Sequence, residues 1–307
     1  MNSVALIFEA WVRRRESQHT QRAYRSDVMC FIAWRGLAWP EQAESLLHVS
    51  IADVVQFRQH LAQENRAPKT INRRISSLSS FYKYLAAAAA EMRLPITVPN
   101  PAHAQFIARS STDPVRETKS LSASRARQLM ALPTSEDVLG YRDRALLKVF
   151  LYTGARLSSI CALRVEDFNE EGDTCTLRLE EKGAKRRTIG IHFAAGGAIV
   201  DYLRRGNISE GPLFRPRQSG HSSQLANRHF HPTTLWRLLS SYLRRLPGGD
   251  QYVPHSLRAT TATLLLEAGE DICHVQHLLG HRHITTTQIY DKRRRLTQDS
   301  ASHHVPL

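Results

Sequence analysis

Four cysteines in 307 residues are too few, and too scattered, for a disulfide scaffold. Cys30, Cys161, Cys175 and Cys273 form no C-x-x-C pair, and each sits among largely apolar neighbours. They are expected to be buried, reduced thiols of a cytoplasmic protein. No apolar run approaches the ~20 residues of a membrane span, so no membrane partner is expected. The short run Ala86–Ala90 reads as the end of a helix. The N-terminus, MNSVALIFEAWVRRRES, places its charge after the apolar part, the reverse of a signal peptide. Also missing are a glycine-rich phosphate loop and an acidic metal cluster, so neither cofactor nor metal is expected. No segment repeats internally. Acidic residues are scarce: 28 Asp and Glu stand against 42 Lys and Arg, a net charge of +14. That balance points to a polyanionic partner, most simply nucleic acid. Residues 1–110 carry 14 basic and 8 acidic side chains, so both halves of the chain share the excess.

What is present is mostly helical pattern. The 307 residues allow two domains. Thr20 is a candidate N-cap for a helix carrying Tyr24, Val28 and Phe31 at helical spacing. Ser50 with Asp53 resembles a capping box, followed by Val54, Phe57 and Leu61 on one face. Pro68 opens a long helix with Ile71, Ile75, Leu78, Phe81, Tyr82 and Leu85 inward. Its other face carries Lys69, Arg73, Arg74 and Lys83, a set able to grip a phosphate backbone, although such a face is often only solvated. Residues 96–119, with Pro95 just before and Pro99, Pro101 and Pro114 within, read as a linker between domains at 1–95 and 120–307. In the second domain Ser122 or Ser124 caps a helix. YRDRALLKVFLYTG then ends at Gly154 in the manner of a C′ glycine, and a further helix starts near Arg156. Residues 174–180 alternate, with Cys175, Leu177 and Leu179 on one face. The alternation resumes over 187–191, and Glu181-Lys182-Gly183-Ala184 forms the turn of the one hairpin expected. Helices return near Phe193, residues 211–223 read as a loop, and helix dominates from Thr233.

Chemistry-bearing residues concentrate in Pro254–Lys292, PHSLRATTATLLLEAGEDICHVQHLLGHRHITTTQIYDK. His255, Arg258 and His281 are read as surrounding a phosphate, with Tyr290 as a nucleophile. A metal alternative exists. Cys273, His277, His281 and His283 fall on or near one helix, with His277 and His281 at i, i+4. A zinc-hydrolase helix would place glutamate after its first histidine, whereas here that residue is Leu278, so the metal reading is set aside.

Three separate stretches line up: Thr153-Gly154-Ala155-Arg156, Lys182-Gly183-Ala184-Lys185, and the stretch just quoted, with His255-Ser256-Leu257-Arg258, Leu279-Gly280-His281 and Tyr290 nine residues on. In residue pattern the chain resembles the tyrosine recombinases, the phage integrase and Xer-like family. Its pattern is T-G-x-R, then G-K-G-x-K-x-R in a β-hairpin, H-x-L-R, L-G-H and a late tyrosine. TQRAYRSDVMCFIAW and APKTINRRISSLSSFYKYL also fit its N-terminal core-binding domain. Three positions depart from the pattern. Ser159 stands where a glutamate commonly follows T-G-x-R-x-S. Glu181 stands where glycine usually precedes the hairpin lysine, and Ala259 where a histidine often follows H-x-L-R.

The resemblance implies a mainly α fold with a small β-sheet in the catalytic domain, two domains closing on duplex DNA as a C-shaped clamp. It implies a site-specific recombinase that cuts and rejoins strands through a 3′-phosphotyrosyl intermediate, as four protomers on two DNA sites, with room for a second recombinase. Arg156 and Arg258 would bind the non-bridging phosphate oxygens through charge-assisted bonds worth on the order of 3 kcal/mol each in the transition state. A free tyrosine titrates near ~10, so Tyr290 needs a proton acceptor, for which His255 is the candidate. Lys182 would protonate the leaving 5′-oxygen, with Lys185 as its local competitor, and His281 would donate a hydrogen bond to the phosphate. Lys69, Arg73, Arg74, Lys83, Lys185 and Arg187 are the expected DNA contacts. The end Val305-Pro306-Leu307 docks on a neighbour or is disordered. The lack of an arm-binding domain points to an Xer-like or mobile-element enzyme. The rivals are a topoisomerase-like nicking and resealing enzyme and a non-catalytic DNA-binding regulator on the same fold.

Overall fold

A computed structural model describes residues 3–109, 118–172, 174–181, 185–220 and 222–291. The contacts divide the chain into two units, Met1–Asp113 and Pro114–Leu307.

The first unit packs four helices, α1 (Ser3–Arg13), α2 (Gln18–Trp34), α3 (Ile51–Gln63) and α4 (Pro68–Glu91), with a 3₁₀ turn at Ala43–His48. Helix α2 starts earlier than the apolar spacing indicated. Ser17, not Thr20, is the N-cap, and its side chain accepts from the Thr20 N–H. The Ser50–Asp53 capping box is formed, each side chain accepting from the other's backbone N–H. Pro68 occupies the first turn of α4, where its missing N–H costs nothing. Aromatic rings fill the centre: Phe8, Trp11, Phe31, Phe57, Phe81 and Tyr82 are fully buried. Phe8 meets Phe81 edge-on at 5.6 Å, and Phe31 meets Phe57 at 5.1 Å, geometry that aromatic quadrupoles favour. Tyr82 Oη donates to the Leu46 carbonyl at 2.7 Å, so its hydroxyl is satisfied inside. Part of the stretch read as linker also belongs to this core. Ala102 and Ile107 are buried in it, and Asn100 donates to the Ser79 carbonyl at 3.1 Å.

The second unit holds eight helices and one sheet among its described residues. The helices are α5 (Ala123–Ala131), α6 (Val138–Thr153), α7 (Leu157–Ala162), α8 (Phe193–Gly206), α9 (Pro232–Arg244), α10 (Pro254–Glu267), α11 (Ile272–Leu279) and α12 (Thr285–Gln288). Ser122 is the residue that caps α5. The sheet is antiparallel, in the order β1 (Phe168–Glu171), β2 (Thr174–Glu181), β3 (Lys185–Ile191). Register pairs Cys175 with Ile191, Leu177 with Ile189, Leu179 with Arg187 and Glu181 with Lys185. Strand β1 was not expected: three of its four residues, Asn169, Glu170 and Glu171, are polar and exposed, so it shows no apolar alternation. Leu177 and Leu179 are fully buried against a core that includes Leu146, Val149, Phe150, Ile199, Tyr202, Leu239 and Leu257.

Helix α10 explains how the pieces of the site are held. It is buried on almost every side, including Ser256, Leu257, Arg258, Ala259, Thr260, Thr261, Ala262 and Thr263. Two of its buried hydroxyls tie it to neighbouring segments. Thr260 Oγ1 donates to the Ser256 carbonyl and accepts from the Leu121 N–H, and Thr261 Oγ1 donates to the Leu151 carbonyl at 2.9 Å. That last bond, with Arg258 Nη1 donating to the Gly154 carbonyl at 2.7 Å, satisfies one carbonyl in the last turn of α6 and that of its C-cap from α10.

The cysteines differ from expectation. Cys161 and Cys175 are buried, but Cys30 is half-buried and Cys273 is exposed. Cys273 lies in the first turn of α11, next to the N-cap Asp271, where the helix faces solvent. Burial pushes the Cys161 thiol up to about 12. No described helix is long and apolar enough to cross a membrane.

Candidate active site

Arg156 is delivered by a helix end and a helix start. Gly154 terminates α6 in the left-handed conformation, φ +58°, and two residues later Arg156 is the N-cap of α7. Only glycine suits position 154, because a Cβ there would lie 2.5 Å from Leu279 Cδ2 on α11. His255 and Arg258 stand one turn apart in the first half of α10. His281 follows Gly280, which ends α11 at φ +66°, and Tyr290 follows the short α12. The start of α7, the first half of α10 and the turns after α11 and α12 therefore converge on one place.

Arg258 is 4% exposed. Its Nη1 is committed to the Gly154 carbonyl, while its Nη2 is buried with no hydrogen-bond partner among the described residues. Burial, then the charge of Arg156, pull its pKa down to about 10. A buried guanidinium that carries positive charge and an unused donor is suited to hold an anion. Arg156 is half-buried. Its Nη2 donates to the Gly280 carbonyl at 3.0 Å, and burial and Arg187 lower its pKa.

His281 stacks on Tyr290, with rings 6.2 Å apart and 15° from parallel. Burial, followed by Arg258, Arg156, His255 and Arg187, pushes its pKa down to about 4, so at neutral pH the imidazole is uncharged. Its Nδ1 faces Thr287 Oγ1 at 2.9 Å. When the buried threonine hydroxyl donates to Nδ1, the ring proton sits on Nε2 and that edge becomes a donor. Burial, Arg258 and Arg156 lower the His255 pKa, leaving it an acceptor at neutral pH. Tyr290 is 9% exposed. Burial raises its phenol pKa, and Arg258 works against that rise. Tyr252, three residues before His255, accepts from Arg125 Nη1 at 2.6 Å.

The structure thus brings together Arg156, His255, Arg258, His281 and Tyr290. Lys182 lies outside the described residues, with Gly183, Ala184 and the tail that ends Val305-Pro306-Leu307. Lys185 opens β3. Arg187, expected to touch DNA, faces inward instead. Its Nε and Nη2 donate to Glu181 Oε1 at 3.1 Å and its Nη1 to the His277 carbonyl at 3.0 Å. Glu181 also pairs with Arg156. The alternation of β2 and β3 carried the signal for both: Glu181 continues the series Cys175, Leu177, Leu179, and Arg187 the series Ile191, Ile189. Thr287 was missed as well. On α4, Lys69 and Lys83 are exposed, Arg74 is half-buried, and Arg73 pairs with the buried Asp27, its Nη1 2.5 Å from Oδ2. His277 and His281 do not share a helix face, because Gly280 turns the chain left-handed between them. No group of three metal-ligating side chains occurs among the described residues.

Residues 119–295 match the phage integrase family, and residues 8–89 match the phage integrase N-terminal SAM-like domain. Tyrosine recombinase XerD of Lacticaseibacillus casei is 31% identical over 286 residues, 91% of this chain and 89% of that protein. XerC of Xanthomonas campestris pv. campestris is 33% identical over 284 residues, 91% of this chain and 80% of that one. XerD of Pseudomonas aeruginosa is 32% identical over 305 residues, covering 96% and 94%. Among solved structures, XerH site-specific recombinase bound to difH substrate superposes with a TM-score of 0.65 at 18% identity, over 84% of this chain and 71% of that one. A lambda integrase dimer bound to a COC′ core site gives 0.64 at 18%, over 94% and 78%. These two likenesses speak for the fold. Sequence relationship and fold together establish that the chain belongs to the phage integrase family, the tyrosine recombinases.

Proposed function

We propose that this chain binds double-stranded DNA at a recombination site and exchanges strands there, with Tyr290 as nucleophile. The reading rests chiefly on Arg258, a buried guanidinium with an unused donor, placed among Arg156, His255, His281 and Tyr290. Tyr290 Oη attacks the scissile phosphorus, and the bond from phosphorus to the 5′-oxygen breaks. The phenol proton passes to neutral His255. Extra negative charge on the non-bridging oxygens is met by Arg156, Arg258 and the Nε2–H of His281. Lys182 protonates the leaving 5′-oxygen. The 3′-phosphotyrosyl linkage keeps the energy of the broken bond, so a 5′-hydroxyl of another strand reverses the step without ATP.

The N-terminal unit grips duplex DNA through Lys69 and Lys83 on α4, and the C-terminal unit carries the chemistry. Four protomers act on two sites through head-to-tail contacts that close into a ring. The test is a nicked duplex whose short 5′ fragment diffuses away after cleavage. The wild-type chain accumulates a DNA adduct that survives denaturation, and Tyr290→Phe accumulates none. An adduct with Tyr290→Phe would remove Tyr290 from its role. No wild-type adduct on any native site would favour a DNA-binding regulator. Relaxation of supercoiled DNA by a monomer, without exchange between sites, would favour the nicking and resealing enzyme.

A further inference from the structure

Glu181 is the strongest feature of the site that the proposed chemistry leaves unused. Its side chain is 10% exposed, at the end of β2, on the same face of the sheet as Leu177 and Leu179. Its two oxygens are divided between two arginines. Oε1 accepts from Nε and Nη2 of Arg187, and Oε2 pairs with Nη1 of Arg156. Arg187 has its remaining terminal nitrogen on the His277 carbonyl and is held from both sides. Arg156 has Nη2 on the Gly280 carbonyl. The two carbonyls belong to the C-terminal turn of α11. Arg156, Glu181, Arg187 and that turn therefore form a closed ring of polar contacts, which ties the end of the hairpin to the residue preceding His281.

The packing of the ring is tight. A Cβ on Gly280 would come within 2.9 Å of Arg187 Nε and 3.0 Å of Glu181 Oε1, so the ion pair lies flush against a residue that has no side chain. Arg156 donates from Nη2 to the Gly280 carbonyl and pairs through Nη1 with the Glu181 carboxylate, and its side chain stays 37% exposed. A guanidinium has five N–H donors in a rigid plane, so fixing two leaves the others aimed in one direction. The neighbourhood is unusual in sequence too. Position 159, where the family pattern commonly has glutamate, holds a serine whose hydroxyl donates to the Glu180 carbonyl at 2.6 Å. The carboxylate beside Arg156 thus comes from the strand end that Ser159 touches rather than from α7.

We propose that Glu181 is a positioning residue for the recombination reaction: clamped by Arg187, its carboxylate holds the Arg156 guanidinium in the orientation that meets the scissile phosphate. The proposal rests on the reading of Arg156 as a phosphate-binding group. It makes the hairpin, through Glu181, part of the anion site without contact between Glu181 and DNA.

Two readouts on the full-length chain test it. The first uses no DNA. Phenylglyoxal modifies accessible, loosely held arginines, and peptide mass spectrometry reads each site. Glu181→Gln, which keeps the shape and removes the charge, is expected to raise modification at Arg156 about fivefold while Arg258, held by the Gly154 carbonyl, is unchanged. Glu181→Asp restores much of the protection. The second is single-turnover adduct formation on the nicked duplex at saturating DNA. Glu181→Gln is expected to slow it about tenfold at unchanged DNA affinity, with partial recovery in Glu181→Asp. Equal Arg156 modification in wild type and Glu181→Gln overturns the proposal. So does faster adduct formation in Glu181→Gln, which would make the carboxylate a competitor of the phosphate. A wild type that forms no adduct sinks the recombinase reading alone, and the modification pattern still decides whether Glu181 holds Arg156.

Discussion

The chemistry of His281 depends on which ring nitrogen carries the proton, and one hydroxyl decides that. Thr287 is fully buried and faces Nδ1 at 2.9 Å. Thr287→Val keeps the shape, removes that bond and frees the other tautomer. Single-turnover cleavage is expected to slow about tenfold at unchanged DNA affinity, less than the ~100-fold cost of losing a donor outright. The low pKa of His281 also makes stability depend on pH in the absence of DNA. Between its ordinary value of 6.5 and about 4, the unfolded chain binds a proton that the folded chain refuses. Stability should therefore be fully present above pH 6.5 and fall as the pH drops toward 4, by up to about 3 kcal/mol from this residue. Urea titrations of wild type and His281→Asn at several pH values measure it, and the slope over this range should be shallower in the variant. The cluster of Arg156, His255, Arg258, His281 and Tyr290 was legible at this scale, because the five are separated by recognisable spacings. Thr287 was not. It is the last of three consecutive threonines, Thr285–Thr287, and only the turn after α11 determines which of them meets His281.

Helix α4 carries basic side chains with two different jobs. Arg73 neutralises Asp27, which is 2% exposed, accepts from Ser77 at 2.8 Å, and is raised in pKa by burial against the pull of Ser77 and Arg73. Arg73→Ala leaves that carboxylate buried without its charge partner and should cost about 1–3 kcal/mol in urea unfolding. Lys83 is exposed, and Lys83→Ala should leave stability within about 0.5 kcal/mol. The same variant should weaken binding to all duplexes alike and flatten the slope of log affinity against log salt by about one. Helical periodicity correctly separates the apolar face of α4 from its basic face, yet it cannot tell these arginines and lysines apart, because Asp27 lies on another helix. The hairpin shows the same division. Alternation located β2 and β3, whereas β1, a short polar edge, is stabilised by pairing with β2 and carries no pattern of its own. Gly154 is a joint sensitive to substitution. Gly154→Ala forces a side chain into the left-handed region at about 1–2 kcal/mol and drives its Cβ against Leu279. It should lower the melting temperature and slow cleavage together, since Arg156 follows two residues later.

Across the whole molecule, the charge of +14 and the division into two units set the terms for any partner. Each unit has its own core: an aromatic one in the first, an aliphatic one around the three-stranded sheet in the second. The positive excess was readable from composition, and it pointed to a polyanion before any motif was considered. What composition could not supply is the convergence of α7, α10 and the turns after α11 and α12 upon one buried guanidinium. That convergence follows from long-range packing, such as Thr261 on α10 reaching the Leu151 carbonyl of α6. The central claim is that this convergence exists to make and break a bond between Tyr290 and DNA. The most direct measurement is peptide mapping of the adduct formed on the nicked duplex, after nuclease digestion leaves a nucleotide stub on the protein. The predicted result is a stub attached through a 3′-phosphate to the peptide containing Tyr290, and to none of the other eight of the chain's nine tyrosines. A stub on any other peptide, or an adduct that forms equally well with Arg258→Ala, would contradict it.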